Sequence, residues 1–200
     1  MNVAVFGSGR GSNFQAILAA KKGGRLDEVS ISLVMSNNSG AGILEIARAN
    51  AIPAFHVSQK QFPSEDHYAD AVLELLQTHN VDAVVLAGFM KRVPAKVIAA
   101  YRGRIINIHP ALLPKYGGSG MFGIHVHEAV LQAGDRESGA TVHVVDELYD
   151  HGKILLQERV PVRADDTPET LAARVLTVEH RILPEALARL AARVHTGVKH

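Results

Sequence analysis

Val3-Ala4-Val5-Phe6-Gly7-Ser8-Gly9-Arg10-Gly11-Ser12-Asn13 is the stretch that decides the fold. Four apolar residues in a row suit a strand buried on both faces. Glycines at 7, 9 and 11 then punctuate a turn, and residues 14–21, rich in Ala, Leu and Ile, read as a helix. A buried strand, a glycine-rich turn and a helix start open a βαβ unit. They also gather backbone N–H groups and the positive end of a helix dipole around one point, which suits a phosphate. The spacing is not G-x-G-x-x-G, because Ser12 stands in the last place, and no Gly-Lys-Ser/Thr follows. A dinucleotide site would also want an acid after the second strand, where this chain has Met35-Ser36-Asn37. The loop therefore predicts a site for one phosphate at Gly11, Ser12 and Asn13, with the two side chains as donors. A plain tight turn is the alternative.

The same alternation continues along the chain. Strands are expected over residues 2–7, 29–35, 52–57, 83–87 and 104–108. Helices are expected over 41–50, from a Ser64 cap to about Thr78, and in a short segment opened by Pro94. After His109 the pattern changes to a long Pro-, Gly- and Ser-rich loop reaching Ile124, then a short helix over 127–133. Strands over 140–145 and 153–162 are expected to run antiparallel to the rest. Thr167-Pro168 opens a last helix with Leu171, Val175, Val178, Ile182 and Leu183 on one face. The expected fold class is α/β, a Rossmann-like, mostly parallel twisted sheet with helices on both faces. One domain over 1–200 is expected, with 1–100 the phosphate-binding half and 101–200 the half that carries the chemistry.

Composition narrows the function. The chain has 200 residues, 21 basic and 20 acidic side chains, a net charge of +1 and no cysteine. Charge balance speaks against a nucleic-acid partner, and no apolar run approaches the roughly 20 residues of a membrane span. Disulfides, thiolate metal sites and cysteine nucleophiles are excluded. The first residues lack a basic leader, so a cytoplasmic location is expected.

The polar candidates lie at strand ends. Asn107-Ile108-His109-Pro110 puts an amide and an imidazole on one face at the carboxyl end of a buried strand, where open α/β sheets place their sites. Asp146-Glu147-Leu148-Tyr149-Asp150 follows a second strand, and one of its carboxylates folding back onto His109 would raise the imidazole pKa. A solvated turn is the alternative. His125-Val126-His127 would present two rings on one face if extended, but without HExxH spacing or cysteines no metal is expected. Glu179, beside the apolar stripe of the last helix, reads as surface.

These segments together resemble the glycinamide ribonucleotide formyltransferases. The markers are Gly11-Ser12-Asn13, Leu86-Ala87-Gly88-Phe89-Met90, Asn107-Ile108-His109-Pro110 with Leu112-Leu113-Pro114, Gly139-Ala140-Thr141-Val142-His143, and Asp150-x-Gly152. The resemblance covers nearly the whole chain. It implies a formyltransferase fold and transfer of a formyl group from 10-formyltetrahydrofolate, the co-substrate, to the amine of glycinamide ribonucleotide in purine biosynthesis. It implies a catalytic trio of Asn107, His109 and Asp150. Phosphate and ribose would meet Gly11, Ser12, Asn13 and Glu179. Folate would meet Met90, Lys91, Arg92, Val93, Asn107, Val145, Asp146 and Glu147. It implies small-molecule partners and a monomer or homodimer. The chain departs from the family pattern at Gly117-Gly118-Ser119-Gly120-Met121-Phe122-Gly123-Ile124, which is longer and richer in glycine and reads as a lid. Hydrolysis of formyl folate and non-catalytic nucleotide binding stay open as other functions.

Overall fold

The computed structural model describes residues 1–148 and 150–195, so residue 149 and residues 196–200 of the expected 1–200 domain lie outside it. Among the described residues seven strands form one sheet: β1 (Asn2–Phe6), β2 (Ser30–Ser36), β3 (Ala54–His56), β4 (Ala83–Leu86), β5 (Ile105–His109), β6 (Glu137–Val144) and β7 (Ile154–Pro161). Their order is β3-β2-β1-β4-β5-β6-β7. The first five are parallel, and β6 and β7 join antiparallel, as the sequence pattern suggested. The order reverses direction between β1 and β4, so the crevice for a ligand opens at their carboxyl ends.

Among the described residues six α-helices cover the sheet: α1 (Ser12–Lys22), α2 (Gly42–Ala49), α3 (Glu65–Thr78), α4 (Ala95–Ala100), α5 (Ile124–Gln132) and α6 (Pro168–His195). Side-chain alternation assigns the two faces. Val3 and Val5 of β1 and Ala83 and Val85 of β4 pack with Phe14, Ile17, Ile43 and Leu44 of α1 and α2, and with Leu171, Val175, Ile182 and Leu183 of α6. Ala4, Phe6, Val84 and Leu86 face the other way, onto Tyr68, Val72 and Leu76 of α3 and Val97 and Ile98 of α4. The apolar stripe expected on the last helix is thus the lining of one core. Ser64 caps α3, accepting the His67 N–H at 3.3 Å.

Most boundaries fall within two residues of expectation, and the starts of β6 and α5 differ by three. Strand β6 starts at Glu137 rather than 140, because Gly139 lets the β7 backbone come close: a Cβ there would collide with the Glu158 carbonyl. Helix α5 starts at Ile124 rather than 127, so the long loop ends earlier than the glycine spacing suggested. Helical geometry also turns His125 outward and His127 inward, so the two rings do not share a face. Among the described residues no group of three or more candidate ligands gathers for a metal. No described helix is long and apolar enough to cross a membrane.

Candidate active site

A cavity of about 750 Å³ opens at the carboxyl edge of the sheet. Its floor carries a polar cluster built by strand pairing. In β5, Ile106 and Ile108 point into the core under α6, so Asn107 and His109 project to the opposite side. Antiparallel register then sets His143 of β6 directly across from Asn107. The Asn107 Nδ2 and His143 Nε2 are 3.1 Å apart, and His143 Nδ1–H donates to the Val144 carbonyl at 3.0 Å. The same Nε2 therefore stands within reach of both the Asn107 amide and Asp150.

Asp150 completes the cluster from the loop after β6. Its Oδ1 lies 3.6 Å from His109 Nδ1 and 3.4 Å from His143 Nε2, and its Oδ2 accepts the Gly118 N–H at 3.0 Å. It holds a left-handed backbone conformation with φ of 54°, which aspartate tolerates better than most residues. Its side chain is only 11% exposed, so the reading of a solvated turn does not hold for this residue. Burial pushes its carboxyl up. The His143 contact, the His109 ring and the Gly118 N–H pull harder and hold it below the usual carboxylate range.

His109 is 4% exposed, and its Nε2–H donates to the Tyr116 carbonyl at 2.7 Å. The expected rise in its pKa is not what results. Burial pushes the imidazole down, Asp150 and the Tyr116 carbonyl push it up, His143 adds to the lowering, and burial wins. The carboxylate was legible in the sequence, but the depth of the site was not.

Arg10 and Glu179 also line the cavity. Glu179 is 8% exposed and accepts the Asn13 Nδ2–H at 2.7 Å, which overturns its reading as a surface residue. Burial pushes its carboxyl up, and the Asn13 amide offsets this only in part. Gly11 takes a left-handed conformation with φ of 86°, and α1 starts immediately after it. Gly11, Ser12 and Asn13 sit behind the cavity wall rather than in it. The Asn13 amide donor is already engaged by Glu179, while its Oδ1 is buried without a partner.

A formyl transferase family model matches residues 1–187. The chain belongs to the formyl transferase family. It is 43% identical over 189 residues to the chloroplastic phosphoribosylglycinamide formyltransferase of Arabidopsis thaliana, covering 94% of this chain and 64% of that protein. The chain therefore spans somewhat under two thirds of that relative's length. It is 40% identical over 184 residues to the phosphoribosylglycinamide formyltransferase of Escherichia coli K12, covering 92% of this chain and 84% of that one. The crystal structure of phosphoribosylglycinamide formyltransferase from Bacillus halodurans superposes with a TM-score of 0.89 at 37% identity, covering 97% of each chain.

In this formyl transferase the residues expected to meet folate all wall the cavity: Met90, Lys91, Arg92, Val93, Asn107, Val145, Asp146 and Glu147. Arg92 Nη2 donates to the Glu147 carbonyl at 3.1 Å, and Arg102 pairs with the Glu147 carboxylate at 2.6 Å, which ties the two walls together. The glycine-rich segment forms the facing side. Among the described residues, three of the four exposed large apolar side chains, Met90, Phe122 and Leu148, stand at this one opening. Sequence reasoning left His143 without a role. Its signal was the strand pairing that sets it beside Asn107, a register that no local pattern announces. His127 was likewise unassigned. It is buried on the cavity wall with an unpartnered Nδ1, and burial, then the His109 ring, push its pKa down to about 4.

Proposed function

We propose that this formyl transferase moves a formyl group from 10-formyltetrahydrofolate to the amine of glycinamide ribonucleotide. The observation that carries this reading is the juxtaposition of Asn107, His109 and Asp150 in a largely apolar cavity that Arg10 and Glu179 also line. The apolar walls suit a flat folate ring, and Arg10, beside Gly11, Ser12 and Asn13, suits a sugar phosphate.

The amine attacks the formyl carbon, a C–N bond forms, and the carbonyl oxygen becomes an oxyanion. The Asn107 amide donates a hydrogen bond to that oxygen. Asp150, held ionised by its neighbours, draws the amine proton towards His109 Nδ1, 3.6 Å away. The imidazolium so formed lies between a carboxylate and the oxyanion, and both favour its charge. The same proton passes to the folate nitrogen as its bond to the formyl carbon breaks. Preorganised donors of this kind contribute about 100- to 1,000-fold each. The enzyme so described works in the cytoplasm on small molecules, as a monomer or homodimer.

Formyl transfer followed optically, with and without glycinamide ribonucleotide, tests the reading. Turnover should require the nucleotide and fall by about 1,000-fold in His109→Ala. Turnover without any acceptor would make the chain a hydrolase, and nucleotide binding without turnover would make it a binding module.

A further inference from the structure

Ser8 lies where the loops after β1, β2 and β4 cross. Its backbone N–H donates to the Gly88 carbonyl at 3.0 Å. Its Oγ accepts the Met90 N–H at 2.7 Å and donates its own hydrogen to Asn37 Oδ1. One hydroxyl therefore joins the glycine loop to the segment that supplies Met90, and anchors both to the end of β2. Only a group that accepts and donates at once can do this.

The surroundings leave the loop little freedom. A Cβ on Gly7 would meet Ile43 Cδ1 at 2.6 Å, and the Gly9 carbonyl accepts the Ile43 N–H at 3.2 Å, so the glycine loop is pressed against α2. Gly88 turns the chain with φ of 76°, and Met90 leaves that turn with its side chain 46% exposed on the cavity wall. A Cβ on Gly123, in the facing segment, would stand 3.8 Å from Met90 Cε. Neither Ser8 nor Asn37 walls the cavity.

We propose that Ser8 is a positioning residue that sets the Met90 wall of the folate site against the glycine loop, with Asn37 as its anchor. This rests on the formyl-transfer reading of the cavity. The Met90 amide belongs to a short loop segment that the Gly88 carbonyl ties to the Ser8 N–H and that the Phe89 ring ties to Phe6. Without the Ser8 hydroxyl the Met90 amide loses its acceptor, and this part of the wall shifts from the geometry the folate ring needs.

Calorimetric binding of tetrahydrofolate and steady-state kinetics on the full chain test this with Ser8→Ala, Ser8→Thr and Asn37→Ala. Ser8→Ala should weaken tetrahydrofolate about five- to tenfold, the loss expected for one hydrogen bond. It should raise KM for the formyl donor alike, and leave kcat and the KM for the nucleotide within about twofold. Ser8→Thr keeps the hydroxyl and should restore most of the affinity. Asn37→Ala should fall between. Unchanged tetrahydrofolate affinity in Ser8→Ala overturns the proposal, as does a fall in kcat alone or an equal loss for both substrates. If Ser8→Ala does not fold, Asn37→Ala decides by the same criteria. Wild type that binds tetrahydrofolate but transfers nothing would end the formyl-transfer reading and leave the binding comparison intact. Wild type that binds no tetrahydrofolate would end both.

Discussion

The floor and the mouth of the cavity are built by opposite means. On the floor, Asn107, His109 and His143 stand on two paired strands, with the His109 and His143 side chains 4% and 2% exposed. Their positions follow from strand register, and burial lowers the pKa of His109. At the mouth, Met90, Phe122 and Leu148 stand on loops and are 46%, 49% and 62% exposed. Phe122 is steadied by edge contact with the His125 ring, whose centroid lies 5.9 Å away, in a segment rich in glycine. Reacting groups need fixed geometry to within a fraction of an ångström, whereas groups that admit and cover a ligand need to move. Strands supply the first and glycine-rich loops the second.

The largest effect that tests this contrast is on the floor. Asp150→Asn should lower kcat by about 100-fold while leaving the KM values nearly unchanged, since it removes a charge needed as the reaction proceeds. It should also lower the His109 pKa further, because the carboxylate is what opposes burial there. Nitrogen-detected NMR titration of His109 measures the shift. Full activity with an unmoved titration would remove Asp150 from the chemistry.

A second effect follows from histidines that the fold keeps neutral. Burial lowers the pKa of His109 and His180, and burial with the His109 ring brings His127 to about 4. The unfolded chain takes up these protons near pH 6.5, before the folded one does. Stability is therefore fully present above about 6.5 and is lost as pH falls towards 4. His127 alone accounts for as much as roughly 3 kcal/mol of that loss. Urea unfolding at pH 7 and pH 4.5 should show it, and His127→Gln should flatten the difference. Equal midpoints at the two pH values would mean that the floor is wetter than the structure places it.

The smallest effect belongs to the mouth. Phe122→Ala should raise KM for the formyl donor about three- to tenfold and leave kcat within twofold, as expected when a covering apolar side chain is removed. A kcat loss as large as that of Asp150→Asn would erase the distinction between floor and mouth.

Local sequence carried the Asn107 and His109 pair, because a strand's alternation puts residues two apart on one side and topology puts them at its carboxyl end. It carried the glycine loop, because glycine spacing after an apolar run has few other uses. It did not carry His143, whose partner is set by the pairing of β5 with β6. Nor did it carry Glu179, which lies 166 positions from the Asn13 that holds it. A helix glutamate at the edge of an apolar stripe looks the same whether water or a buried amide faces it.

By itself, then, the sequence determined the α/β alternation, the glycine turn between β1 and α1 and the strand-end amide and imidazole, since each depends on residues within a few positions of one another. Only the tertiary structure decided that Asp150 reaches both His109 and His143, that Glu179 is buried on Asn13, and that the His109 pKa is lowered rather than raised. Those outcomes depend on long-range pairing and on depth. Burial outweighs a single neighbouring carboxylate, and how deep a side chain lies is a property of the packed molecule that no stretch of its chain contains.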